Sequence, residues 1–142
     1  EIDRSIQICA LIPEFEVATT DARNALPSKV EYKDAIHNIS RTAVLLKALQ
    51  TGSEEMIKLS LDDMLHQPYR KTLIYEFEKV CQICHKNGSL ATFISGAGPT
   101  VMNIVKNSGF TKLIQDDIIK LEHDWNARMI EIDFNGAVVT GG

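Results

Sequence analysis

No apolar run in this sequence approaches the roughly 20 residues that a helix needs to cross a bilayer; the longest are short stretches such as Ala43-Val44-Leu45-Leu46. Cysteine is scarce, with three in 142 residues. That excludes a disulfide framework and suits a reducing compartment, so a cytoplasmic setting is expected. Basic residues are outnumbered, 15 Lys and Arg against 19 Asp and Glu, for a formal net charge of -4. No cluster of them interleaves with aromatics along one face, which speaks against a nucleic-acid partner. Repeats, low-complexity tracts and dividing linkers are missing too, so residues 1–142 are expected to form one domain. What is present fits a globular chain: 44% hydrophobic and 24% charged residues, close to the average for soluble domains. Glu1 to Ile6 has neither an initiator Met nor an apolar signal region, and the chain reads as part of a longer one.

Ile6 to Ile12 is apolar and rich in β-branched residues and stops at Pro13, as a strand does. Thr19 or Thr20 can cap a short helix that must end by Pro27. Asp34 to Gln50 carries Ile36, Ile39, Ala43, Leu46 and Leu49 at helical spacing, with Gly52 as terminator. Ser53 can cap the next helix, whose stripe of Ile57, Leu61, Met64 and Leu65 runs on until Pro68 intervenes. Thr72 to Lys86 repeats the pattern through Leu73, Phe77, Val80 and Cys84, and Asn87-Gly88 stops it. Leu90–Ile94 and Val101–Val105 read as two strands, Thr111–Trp125 as a last helix, and Met129–Phe134 as a half-buried strand leading to a turn at Asn135-Gly136. Strands and helices without regular parallel alternation predict an α+β domain: an antiparallel sheet with helices packed on one side.

Ser95-Gly96-Ala97-Gly98-Pro99-Thr100 places four small residues between two strands, where uncovered backbone N–H groups can cradle an anion or a hydroxyl. It lacks the lysine of a P-loop and the third glycine of a dinucleotide fingerprint, and taken alone it reads first as a tight strand connection. In His66-Gln67-Pro68-Tyr69-Arg70 a rigid proline turn can aim a guanidinium, which grips carboxylates with two parallel bonds, into a cleft. Thr19 and Arg23 lie one helical turn apart and can face the same ligand, although surface ion pairing explains either arginine taken singly. Cys81-Gln82-Ile83-Cys84-His85 matches the c-type haem attachment pattern, but it lies on an amphipathic helix, and structural thiols are expected there. The only other cysteine, Cys9, cannot complete a zinc site. Asn38 and Arg41 fall on or near the apolar face of their helix, where they need partners or a ligand. Asp62-Asp63 and Asp116-Asp117 read as solvated charge, and no metal ligands are assigned.

In order and spacing these segments resemble the C-terminal half of homoserine kinases, small-molecule kinases of the GHMP family. The Ser95–Thr100 loop is similar to the third motif of the superfamily, and His66 to Arg70 points to homoserine kinases within it. The resemblance implies a ferredoxin-like α+β fold and transfer of the ATP γ-phosphoryl group, with Mg2+, to the side-chain hydroxyl of L-homoserine on the route to threonine. It places Thr19, Arg23 and Arg70 on the amino-acid end of the substrate, the arginines on its carboxylate, and Gly96, Ala97 and Gly98 near the substrate and phosphate through their backbone. It also implies that the main ATP site and the catalytic residues lie in an N-terminal domain outside this chain, so that these 142 residues alone are inactive. A non-catalytic GHMP-like sensor and an amino-acid-binding regulatory module are the rival readings, and an exposed sheet or helix face leaves room for a homodimer.

Overall fold

Alternation along β1 (Gln7–Pro13) organises the domain in a computed structural model that describes residues 1–140. Cys9 and Leu11 point to one face and Ile8 and Ala10 to the other, as successive strand residues must. β1 pairs antiparallel with β3 (Val101–Val105) and with β4 (Trp125–Ile130), and β2 (Ala91–Ile94) adds to β3, giving the order β2-β3-β1-β4. The expected α+β architecture with an antiparallel sheet is therefore present. On the Cys9 face, Leu11, Val101 and Val105 pack against α5 (Phe77–Lys86) and α6 (Phe110–Ile118) through Val80, Cys84, Phe110 and Ile114. On the other face a smaller cluster joins Ile6, Ala91 and Ile104 to Ala48 of α2 (Tyr32–Thr51) and Ile57 of α3 (Glu54–Ser60). So α5 and α6 form the expected helical layer, while α2 and α3 reach the opposite face beside β2.

Several boundaries differ from those the sequence pattern predicts, each for a local reason. α1 (Thr19–Asn24) starts one residue after Ala18, and no side chain caps it, so neither Thr19 nor Thr20 plays that part. Of the apolar stripe of α2, only Leu49 packs inward, beside Ala48, while Ile36, Ile39 and Leu46 are exposed. Gly52 closes α2 at φ 64°, a left-handed C-cap that favours glycine, and a Cβ atom there would push aside the Asp3 carboxylate at 2.7 Å. α3 is capped by Ser53 as expected, but it ends at Ser60 and leaves Met64 and Leu65 outside.

The expected helix from Thr72 to Lys86 is broken. A short helix α4 (Gln67–Arg70) and a 3₁₀ turn over Lys71–Leu73 are followed by Glu76 at φ 58°, after which α5 begins. Likewise α6 stops at Ile118, and the chain turns away where the Glu122 and His123 N–H groups donate to the Glu76 carboxylate, before Trp125 pairs with Pro13. β4 consequently lies at Trp125–Ile130 rather than 129–134. Beyond it, Asn135 donates its N–H to the Asp133 carboxylate, and Val138 and Val139 are exposed.

Candidate functional site

Asp63 organises the approach to the site. Its two carboxylate oxygens accept the backbone N–H groups of Leu65, His66 and Gln67 at 2.9, 2.9 and 2.6 Å and the Asn38 amide at 2.6 Å. Burial pushes its pKa up, but the Asn38, Gln67, Leu65 and His66 hydrogen bonds outweigh that and hold it below the ordinary carboxylate value. Asn38 also accepts from the Met64 N–H at 2.9 Å. The segment after α3 is thereby fastened to α2 and wound into α4, whose second residue, Pro68, has a ring suited to a first helical turn. The pair Asp62-Asp63 thus departs from the expected solvated helix face. Asp63 is a structural acceptor, and Asp62 lies 3.0 Å from the His37 ring.

α4 in turn presents Arg70. Its Nε donates to the Ala22 carbonyl of α1 at 3.2 Å, and its Nη1 to the Gly96 carbonyl at 2.7 Å. Gln67 Oε1 accepts the N–H of Ile94 at 3.0 Å and pins the end of β2 to the same helix. The loop from Ser95 to Thr100 closes on itself through Ser95 N–H to Thr100 and Gly98 N–H to Ser95, at 2.8 and 2.9 Å. These bonds leave the N–H groups of Gly96 and Ala97 without a partner among the described residues. Gly96 and Gly98 hold φ 57° and 88°, and the Gly98–Pro99 peptide is cis.

The structure therefore brings Arg70, the glycine loop and the backbone of α1 together. Thr19 and Arg23 lie on α1 on either side of Ala22 with exposed side chains. A cleft of about 470 Å³ opens between α2, α4 and the end of β2, lined by Asn38, Arg41, His66, Gln67, Arg70 and Gly96 among others. Arg23 and Thr19 are not among its walls.

Two features here escaped the sequence. Asp63 was obscured by the helical stripe running past it, although an acidic residue shortly before a Gln-Pro pair is a signal for a capped turn. Gln67 lies in a segment the sequence singled out for Arg70, but its own role was hidden because its partner, Ile94, is 27 residues away.

Away from the cleft, Glu76 is nearly buried, with 6% of its side chain exposed. Burial raises its pKa, but the Lys79 ammonium, the His123 and Glu122 N–H groups and the His123 ring together bring it down to about 2. His123 stacks on Tyr75 at 4.6 Å, with Phe15 edge-on to both. The cysteines are free and serve as packing: burial pushes Cys9 up to about 11 and Cys81 and Cys84 up to about 12. Thiols held neutral in this way make poor metal or haem-attachment groups.

Of the two carboxylates in the cleft lining, Asp63 has both oxygens engaged and Asp62 has one oxygen beside the His37 ring, and no grouping of three His, Cys, Asp or Glu suited to a metal occurs among the described residues. What the site offers is guanidinium charge and open backbone N–H groups, a set made for oxyanions.

Comparison with known proteins gives these features a context. The family model described as GHMP kinases C terminal matches residues 45–121. A homoserine kinase of Clostridium botulinum is 41% identical over 141 residues, which are 98% of this chain and 48% of the relative. Another, from Caldicellulosiruptor saccharolyticus, is 32% identical over 142 residues, 97% of this chain and 46% of the relative. The chain thus spans about half the length of the curated relatives it matches. Among solved structures, a homoserine kinase from Cytophaga hutchinsonii superposes with a TM-score of 0.85 at 21% identity, covering 92% of this chain and 43% of the other. A putative homoserine kinase from Listeria monocytogenes gives 0.60 at 20% identity, covering 89% and 41%. At these identities the likeness to the structures is one of fold.

Proposed function

This chain belongs to the GHMP kinase C-terminal family, and on that premise we propose that it is the substrate-holding half of a homoserine kinase, which transfers the γ-phosphoryl group of ATP to the side-chain hydroxyl of L-homoserine. The observation that carries this reading is the anchoring of Arg70 to both Ala22 and Gly96, which draws three otherwise separate segments into one site.

In this account Arg70 offers its remaining Nη2 to the substrate carboxylate, and Arg23, whose exposed side chain stands outside the cleft walls, extends from α1 to the same group when substrate binds. Thr19, one turn before Arg23, presents a hydroxyl to the amino-acid end. The free N–H groups of Gly96 and Ala97, with Gly98 setting the loop's path, approach the reacting hydroxyl and the phosphate. These residues bind and orient. In the reaction the substrate hydroxyl oxygen forms a bond to the γ-phosphorus and gives up its proton to a group outside these residues or to water, while the bond from that phosphorus to the departing ADP oxygen breaks, and rate is gained by alignment and by neutralising charge.

ATP and its Mg2+ are held mainly outside these residues, in the half of the enzyme that this chain does not span. The isolated 142 residues accordingly bind no ATP and catalyse nothing, and the intact enzyme works in the cytoplasm. A sensor without catalysis remains the rival; the names of the relatives favour the kinase. The test is ADP release by the intact protein offered L-homoserine, mevalonate, galactose and L-threonine in parallel. Turnover on homoserine alone supports the reading, and tight binding without turnover on any of them rejects it.

A further inference from the structure

Arg41 is the one charged group lining the cleft that the account above leaves without a task. It stands on α2 one turn after Asn38, so both face the cleft, and Thr42 and Leu45 continue the same wall. Its Nε is buried without any hydrogen-bond partner. Its Nη1 has only a long 3.4 Å contact to the hydroxyl of neighbouring Ser40. The nearby acids do not answer it: Asp63 has its oxygens engaged with α4 and Asn38, and Asp62 is beside His37. No carboxylate lies within salt-bridge distance of Arg41 or of Arg70 among the described residues. Two guanidiniums without acidic partners thus share one cleft of about 470 Å³. A half-buried guanidinium whose Nε is buried with no acceptor calls for an anion with matching acceptors.

We propose that Arg41 is a ligand-binding residue that, with Arg70, holds an oxyanion group of the bound ligand in the cleft between α2 and α4. The shared chemistry is that of a carboxylate or a phosphate. Two sources can supply it: the carboxylate of the amino-acid substrate or a phosphoryl group. The proposal rests on the kinase reading for its biological ligand but not for its physical basis, which is the unpaired charge.

The test is isothermal titration of the intact protein and its Arg41→Gln and Arg41→Lys variants with three probes: L-homoserine, 2-amino-1,4-butanediol, which lacks the carboxylate, and inorganic phosphate. Loss of one charge-assisted contact weakens binding roughly tenfold to a hundredfold. If the carboxylate is the partner, Arg41→Gln shows that loss for L-homoserine and almost none for the diol. If a phosphoryl group is the partner, the loss falls on phosphate. In either case Arg41→Lys, which keeps the charge without the planar fork, lies between wild type and Arg41→Gln, and it carries the comparison if Arg41→Gln does not fold. Equal losses for all three probes, or no loss for any, overturn the proposal. Wild-type protein that releases no ADP with homoserine rejects the kinase reading alone, and Arg41 is then judged on the phosphate titration.

Discussion

The Nη1 atom of Arg70 donates to the carbonyl oxygen of Gly96 at 2.7 Å, so the proline turn and the glycine loop, 26 residues apart, are tied directly to one another. The guanidinium is thereby fixed in position before a ligand arrives, and little side-chain freedom remains to be lost on binding.

That fixation depends on Asp63. Replacing it with alanine leaves three backbone N–H groups and the Asn38 amide short of an acceptor. Asp63→Ala is expected to cost about 1–3 kcal/mol in stability and to weaken substrate binding through misplacement of Arg70. Denaturant unfolding and titration of the same variant check both effects. Stability and affinity equal to wild type would remove Asp63 from the account.

The glycine loop makes a graded prediction. At Gly98 an added Cβ would lie 3.1 Å from Ile74 Cδ1 and 3.3 Å from Ile94 Cγ2, with φ at 88°. At Gly96 it would meet open space, with φ at 57°. Gly96→Ala carries only the left-handed backbone cost, about 1–2 kcal/mol, whereas Gly98→Ala adds crowding and costs about 2–4 kcal/mol. Thermal melts of the two variants give the order, and a Gly96→Ala protein less stable than Gly98→Ala contradicts it.

Glu76 gives a pH signature. Its pKa is lowered on folding from 4.5 to about 2, so its contribution is fully present above pH 4.5 and is lost as pH falls toward 2. Glu76→Gln is expected to be less stable than wild type by about 1–3 kcal/mol at neutral pH, with the difference shrinking across that acid window. A difference that is unchanged down to pH 2 would show that Glu76 acts through packing rather than charge.

How much of this was legible in the sequence depends on whether an interaction is local. The strands around Cys9, Thr92 and Asn103 follow from apolar runs bounded by Pro13, Asn87-Gly88 and the glycine loop, because burial on a sheet imposes that pattern directly. Arg70 and the loop from Ser95 to Thr100 stood out as residue types with a chemical purpose, and Arg41 as a charge on an apolar helix face. The break at Glu76 was invisible, because its left-handed backbone is sustained by a carboxylate reaching Glu122 and His123, more than 40 residues on. The same holds for the early end of α3: Leu61, Met64 and Leu65 continue a helical rhythm, and only the contacts of Asp63 and Asn38 redirect the chain.

The central claim, that Arg70 holds the carboxylate of homoserine in a working kinase, is tested most directly by the kcat/KM of the intact protein for L-homoserine with and without Arg70→Ala. The expected result is ADP release that requires homoserine and a fall of about a hundredfold in the variant, carried mainly by KM, with a melting temperature lowered by the loss of the bonds to Ala22 and Gly96 but a protein still folded at the assay temperature. Equal kcat/KM for the two proteins would contradict it.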